Sequence, residues 1–333
     1  MKVSMHFKAL TAAVAVSIAG AAGAAPASLP LTINGTFNST QWFVGNQVST
    51  SGSCGGTAFG VVDASSAGGG DAYDDAWGFQ VNGFPIGAPG NTVDLTGSTL
   101  TAGPVSAGGM NVTVQQFYAQ GSSLARFMVF LQNPGSAAAV ANVQVPINFG
   151  SDGGTLYRAT SSGDTAVSPA DRWIVSSDGG PSDPVNTTVL FGPGATVQPV
   201  STTTSVFDCA GPNGLGATFN VSVPAGSTRS LMFFAGLAGI TEPNNTVASA
   251  VTSAALFDSS NTLLPEWVSG LSSTQKSQIA NWNFFTTCAA EGYTGGKLTL
   301  CRSICETTQA PSTLSSKIKL YSAIYRETPP CGL

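Results

Sequence analysis

NVQVPINF (residues 142–149) alternates without a break. Val143, Val145, Ile147 and Phe149 are apolar, and Asn142, Gln144, Pro146 and Asn148 stand between them. Successive side chains of a strand leave on opposite faces. One segment thus offers an apolar row to a core and an amide row to water. Outward from it, Phe219, Val221 and Val223 alternate with Asn220 and Ser222, and Val112-Thr113-Val114 repeats the pattern. Phe127–Leu131 and Leu231–Ala235 are apolar at every position, as inner strands buried on both sides are. Asn133-Pro134-Gly135, Asp152-Gly153-Gly154, Gly192-Pro193-Gly194 and Pro224-Ala225-Gly226 punctuate these runs as turns. Short strands between Gly and Pro turns, with no βαβ spacing, predict a mainly β chain. The expected form is a large antiparallel β-sandwich over residues 25–265. One helix interrupts it, predicted over Asn245–Phe257 from the spacing of Val247, Val251, Ala254 and Ala255.

Residues 266–333 read differently, as a small helical, cysteine-containing unit. Ser272-Ser273-Thr274-Gln275 has capping-box spacing, and Ile279, Trp282 and Phe285 follow it. Gly296–Glu306 and Leu314–Glu327 make two further helix candidates. Pro329-Pro330 ends the second.

The amino terminus has the order of a secretory signal. Lys2 and Lys8 precede the apolar run Ala9–Ala22, and Ala22-Gly23-Ala24 closes it with small residues. Residues 1–24 are therefore expected to be removed, leaving a soluble chain outside the cytoplasm. The run is short of the ~20 residues a bilayer needs, and no later stretch is long and apolar enough to span one. The six cysteines, Cys54, Cys209, Cys288, Cys301, Cys305 and Cys331, suit the disulfides of an oxidising compartment. Cys54 and Cys209 are alone in the β unit and are expected to pair. Cys301 and Cys305 share a helix face, so one is expected to pair with Cys288 and the other with Cys331. The rival, a four-cysteine zinc site, lacks paired CxxC knuckles.

Charge narrows the chemistry. Residues 25–270 hold 14 acidic and four basic residues, a net −10 without a lysine, whereas residues 271–333 hold three acidic and six basic. The acidic part would repel nucleic acid and anionic membranes. The single histidine, His6, lies in the leader. Without it no imidazole base remains for Ser-His-Asp or Cys-His nucleophiles, and none for histidine-ligated metals. No Walker loop and no dinucleotide fingerprint occur.

Carboxylates remain. Asp71, Asp74 and Asp75 cluster in DAYDDAW, and Asp152, Asp164, Asp171, Asp178 and Asp183 follow in Gly/Ser loops. No cofactor is expected; such oxygens could suit calcium, with Asp71, Asp74 and Asp75 the best candidates for its ligands. Aspartate is also an ordinary turn residue. Asp74 or Asp75 with Asp171 could instead form the acid pair of a glycoside hydrolase. Trp77 and Trp173 stand beside these acids as sugar platforms or as core residues. Lys317, Lys319 and Arg326 line the last helix opposite its apolar stripe, as a solvated face does.

INFGSDGGTLYRATSSGDTAVSPADRW (147–173), with the ending that holds GYTG (292–295), the cysteines and IKLYSAIYRETPPC (318–331), resembles exported bacterial β-sandwich proteins without an assigned function. The resemblance implies export and brings no catalytic residue. The strand layout is also compatible with the large sandwiches of carbohydrate-active proteins, by analogy alone. The expectation is a secreted, non-catalytic binding or assembly protein. Its partners would be glycans, surface proteins, or copies of itself in a surface layer or filament. The alternative is an Asp-dependent polysaccharide hydrolase or lyase.

Overall fold

The structure, a computed structural model, describes residues 24–48, 58–67, 69–180, 182–205, 214–258, 263–284, 288, 293–305, 311–327 and 329. Residues 1–23 of the expected signal segment 1–24, Cys54, Cys209 and Cys331 lie outside the described residues.

In chain order the strands are β1 (Ala25–Ser28), β2 (Leu31–Asn34), β3 (Gln41–Val48), β4 (Ala58–Ser65), β5 (Tyr73–Ala76), β6 (Gln80–Val81), β7 (Phe84–Pro85), β8 (Thr92–Thr96) and β9 (Thr99–Ala107). There follow β10 (Met110–Tyr118), β11 (Leu124–Gln132), β12 (Ala139–Phe149), β13 (Leu156–Thr160), β14 (Trp173–Ser177), β15 (Asn186–Val189), β16 (Ser201–Thr203), β17 (Gly214–Val223) and β18 (Thr228–Leu237). They form two antiparallel sheets. The first runs β1-β8-β9-β10-β11-β18-β15-β14-β13 from edge to edge. The second runs β16-β17-β12-β5-β4-β3-β2, with β6 on β12 and β7 on β6.

The alternation in 142–149 does what its period demands. Val143, Val145, Ile147 and Phe149 of β12 are buried between the sheets, as are Phe219, Val221 and Val223 of β17 beside it. The continuous apolar strands are the centre of the first sheet, where β11 pairs β18. Phe127, Val129 and Leu131 of β11, with Leu231 and Phe233 of β18, join the inter-sheet core. Their alternates Leu124, Met128, Met232 and Phe234 feed a second core on the sheet's outer face. Two cores, one on each side, explain why these strands tolerate no polar row.

That outer core is closed by α1 (Val247–Ala254), α2 (Ser273–Gln278) and the chain between them, through Phe257, Trp267, Leu271, Ile279 and Trp282. Thr246 caps α1 by accepting the Ser249 N–H, and Ser272 with Gln275 forms the expected capping box of α2. The expected continuation of α2 towards Phe285 does not form, because Ile279 turns extended and bridges Ser230. Asn281 then accepts the Met232 N–H and donates to the carbonyls of Leu190 and Met232. Strand groups on the sheet outcompete one more helical turn. Trp267, Leu271, Ile279 and Trp282, all beyond residue 265, thus pack in the outer core of the first sheet.

The separate helical part is α3 (Gly295–Cys305) and α4 (Pro311–Tyr325), which pack Cys301, Ile304 and Tyr321 into a third core. Cys288 is joined to Cys301 by a disulfide, one of the expected links. No helix among the described residues is long and apolar enough to cross a membrane.

Candidate functional site

The helices that meet the sheets meet the first one: α1 contacts β14 and β15, and α2 contacts β18. The outer face of the second sheet carries the amide row of β12 instead. Gln144 pairs across to Thr218 of β17, and Thr218 to Ser201 of β16. Asn142 lies opposite Asn220 and donates to its Oδ1 at 2.9 Å. Where β16 ends the sheet, these strands enclose a cleft of about 400 Å³ lined by Gln144, Pro146, Ser201, Thr203, Ser205 and Thr218 among others, none of them charged. The volume suits a small organic ligand or one or two sugar rings.

Carboxylates gather where β12 runs out of the same sheet. Asn148, two residues beyond Pro146, donates to the Asp74 carbonyl at 2.6 Å. Gly150 donates its N–H to Ala72, and a Cβ there would run into Asp71. The turn that follows supplies Asp152, whose charge acts on Asp74. Partial loss of water, then the charges of Asp71, Asp152 and Asp75, push Asp74 up to about 6. Burial and Asp152 raise Asp71, and burial with Asp178, Asp71 and Asp152 raises Asp183. Asp75 (φ 74°), Trp77 (φ 60°) and Asp152 (φ 46°) are left-handed here, so the chain is bent around the cluster.

Asp71, Asp75 and Asp152 thus act on Asp74 as charges. Among the described residues no three acidic, histidine or cysteine side chains are arranged to hold a metal ion.

Asp171 is not one of the charges that act on Asp74. Its carboxylate is fully buried and held inside its own loop, accepting O–H and N–H bonds from both Ser162 and Ser168. Burial works against its charge, but these bonds prevail and hold it below the usual carboxylate range. These bonds make it a turn aspartate.

Of the two readings of the tryptophans, core residue or sugar platform, the structure shows the core. Trp77 is fully buried and stacks on Phe127. Trp173 is 6% exposed, lies in the outer core of the first sheet, and donates its Nε1–H to Asp258 at 3.0 Å. Neither ring face is open to a sugar.

Asp63 escaped the sequence reading. It is half-buried on β4, where its Oδ1 accepts the N–H groups of Ala64, Ala72 and Tyr73. Burial outweighs these bonds and pushes it up to about 7. Its signal was a lone carboxylate inside the apolar strand AFGVVDAS. The cleft's signal was the amide row itself.

No protein-family model matches the chain, and no curated protein matches it in sequence. Among solved structures it is similar to a polysaccharide lyase, at 10% identity over 64% of this chain and 34% of that one, with a TM-score of 0.39. It therefore spans about a third of the lyase chain. It is also similar to an aldose 1-epimerase candidate of Klebsiella pneumoniae subsp. pneumoniae, at 8% identity over 66% of this chain and 81% of that one, TM-score 0.36. The Slr1438 protein of Synechocystis sp. PCC 6803 shares 12% identity over 68% of this chain and 100% of that one, TM-score 0.31. Two of the three carry names from sugar chemistry, but at these scores the likeness assigns no activity.

Proposed function

We propose that this chain is an exported, non-catalytic protein that holds a glycan on the outer face of its second sheet. The observation that carries the reading is the cleft at β12, β16 and β17, about 400 Å³ and lined by Gln144, Ser201, Thr203, Ser205 and Thr218 together with apolar residues such as Pro146, without a charged side chain. Sugar hydroxyls exchange bonds with water for bonds with such groups at little electrostatic cost. Over β14, β15 and β18 the outer face of the first sheet is occupied by helices and by residues of the 263–284 segment.

The test is a glycan array, run beside an assay for reducing ends released from mixed polysaccharides. The expected result is retention of a glycan by the full chain without release of ends, with retention lost in Gln144→Ala/Thr218→Ala. A chain that retains no glycan ends the reading.

A polysaccharide-cleaving enzyme is the second reading, favoured by the carboxyl pair Asp74–Asp152. Glycosidase carboxyls stand about 5–5.5 Å or 6.5–9.5 Å apart to leave room for the sugar or a water. Binding is preferred because the cleft that carries the reading is lined by no carboxylate.

A further inference from the structure

The second sheet ends in a strand too short for its neighbour. β17 is ten residues long, and β12 pairs along the whole of it in an unbroken register. On its other side β16 pairs only Gly216, Ala217 and Thr218. Residues 219–223 are therefore an edge with no strand beside them among the described residues. Thr218 accepts the Val200 N–H and Gly214 donates to the Thr204 carbonyl, both on the β16 side. Their alternates Asn220 and Ser222 then aim N–H and C=O the same way, off the open edge. Asn142, opposite Asn220, has the matching phase: its N–H and C=O both bond Asn82, away from β17. The Asn220 and Ser222 side chains are exposed. Other sheet ends carry features that discourage pairing. β1 contains Pro26, β13 carries Arg158 and a register shift, β2 has four residues, and β7 contains Pro85. The 219–223 edge has no proline, no charge and no register shift.

We infer that this edge is an interface between two copies of the chain, which join β17 to β17 in one continuous sheet. Self-complementarity and charge select a second copy as the occupant. A two-fold axis between Val221 and its copy sets Asn220 against the partner's Ser222, and Ser222 against the partner's Asn220. Outward N–H groups meet outward C=O groups at both places. Residues 25–270 hold 14 acidic and four basic residues, so two copies repel over most approaches. β12, β16 and β17 contain no charged residue, so here they meet without that repulsion, and a basic partner gains nothing from these strands. Val200, 56% exposed, stands just before β16, where the partner's β17 ends, and the contact covers it. One short strand pair buries less than the ~1,200 Å² of a stable complex, so the association is weak and follows concentration. The axis is normal to the sheet, so the outer faces of both copies look the same way. Thr218 of the cleft lies three residues from the axis, which sets the two clefts side by side about 20 Å apart.

Sedimentation velocity of the full chain tests this, with variants that change only the two exposed side chains. The unmodified chain is expected to pass from monomer to dimer between about 1 μM and about 1 mM. Asn220→Lys/Ser222→Lys and Asn220→Glu/Ser222→Glu each place like charges across the axis, and each is expected to associate at least about tenfold more weakly. An equal mixture of the two variants is expected to dimerise again, which shows that both are folded and that the contact lies at these residues. An unmodified chain that stays monomeric over the whole range would overturn the inference. So would variants that dimerise as the unmodified chain does, a mixture that stays monomeric, or growth beyond the dimer. None of these outcomes depends on glycan binding, so this inference and the glycan reading fail separately.

Discussion

Trp77 lies flat on Phe127, their ring centroids 4.5 Å apart and their planes within 3°. This contact joins the two sheets: Trp77 follows β5 of the second, and Phe127 sits at the centre of β11 in the first. Trp77 holds a left-handed backbone to reach it, with its N–H on the Pro146 carbonyl at 3.0 Å. Gly60 permits the bend, because a Cβ there would come within 2.7 Å of the Ala76 carbonyl oxygen. The acids in DAYDDAW are placed by a core residue, so their position depends on sheet packing. Trp77→Ala is expected to cost about 3–5 kcal/mol. Chemical denaturation checks it, and a cost under about 1 kcal/mol would show that the stack is not an anchor.

Arg126 anchors the chain that closes the outer core. Its Nη1 donates to the carbonyls of Trp267 and Ser269 at 2.8 and 3.0 Å, and its guanidinium lies 4.8 Å from the Phe117 ring centre. Burial lowers it to about 10. Arg126→Met keeps the volume but strands two carbonyls, at a cost of about 1–3 kcal/mol. Limited proteolysis is expected to cut the variant first within residues 263–272; an unchanged cleavage pattern would refute the anchoring role.

Two buried carboxyls should pull stability in opposite directions with pH. Asp63 holds its proton in the folded state up to about pH 7, whereas its ordinary value is 3.8. Between those values the folded chain binds more protons than the unfolded one, so this group's contribution falls as pH rises. Asp63→Asn keeps an oxygen for the three N–H groups and removes the charge. With screening at its half-exposed rim, the variant should gain about 1–2 kcal/mol at pH 8 and little at pH 4. Asp171 has the reverse sign: its stabilisation is present above its ordinary value and is lost as pH falls through its lowered one. Melting temperatures of Asp63→Asn and Asp171→Asn across pH 3–8 (roughly the window of these groups) resolve both, and parallel curves for the two variants would contradict the assignment.

The α3–α4 unit should melt by itself. Its core is separate from both sheet cores, and the Cys288–Cys301 link closes a loop of sequence separation 13. Such a loop is worth roughly 3 kcal/mol in the chain-entropy account. Cys288→Ser/Cys301→Ser is expected to shift or abolish a small calorimetric transition and leave the main one in place. A single transition that moves as a whole would mean that the helices and the sandwich unfold together.

Period-two alternation identified β12 and β17, doubly apolar runs identified β11 and β18, and Ser272 with Gln275 identified the start of α2. Each is a local signal, because strand faces and helix caps are set by neighbours in the chain. The end of α2 was not legible, since Asn281 satisfies strand groups 49 and 91 residues away.

The same division holds for the site. The sequence by itself determined that carboxylates, amides and hydroxyls are the only polar chemistry of the sandwich surface in quantity, because composition is independent of folding. Only the tertiary structure decided which of them meet. It set the charge of Asp152 to act on Asp74, withdrew Asp171 into its loop and both tryptophans into cores, and sent every arginine of the sandwich to the first sheet. Strand order does this sorting: pairing partners are chosen by burying apolar rows, and the polar residues on the opposite faces are carried to positions that their spacing in the chain does not reveal.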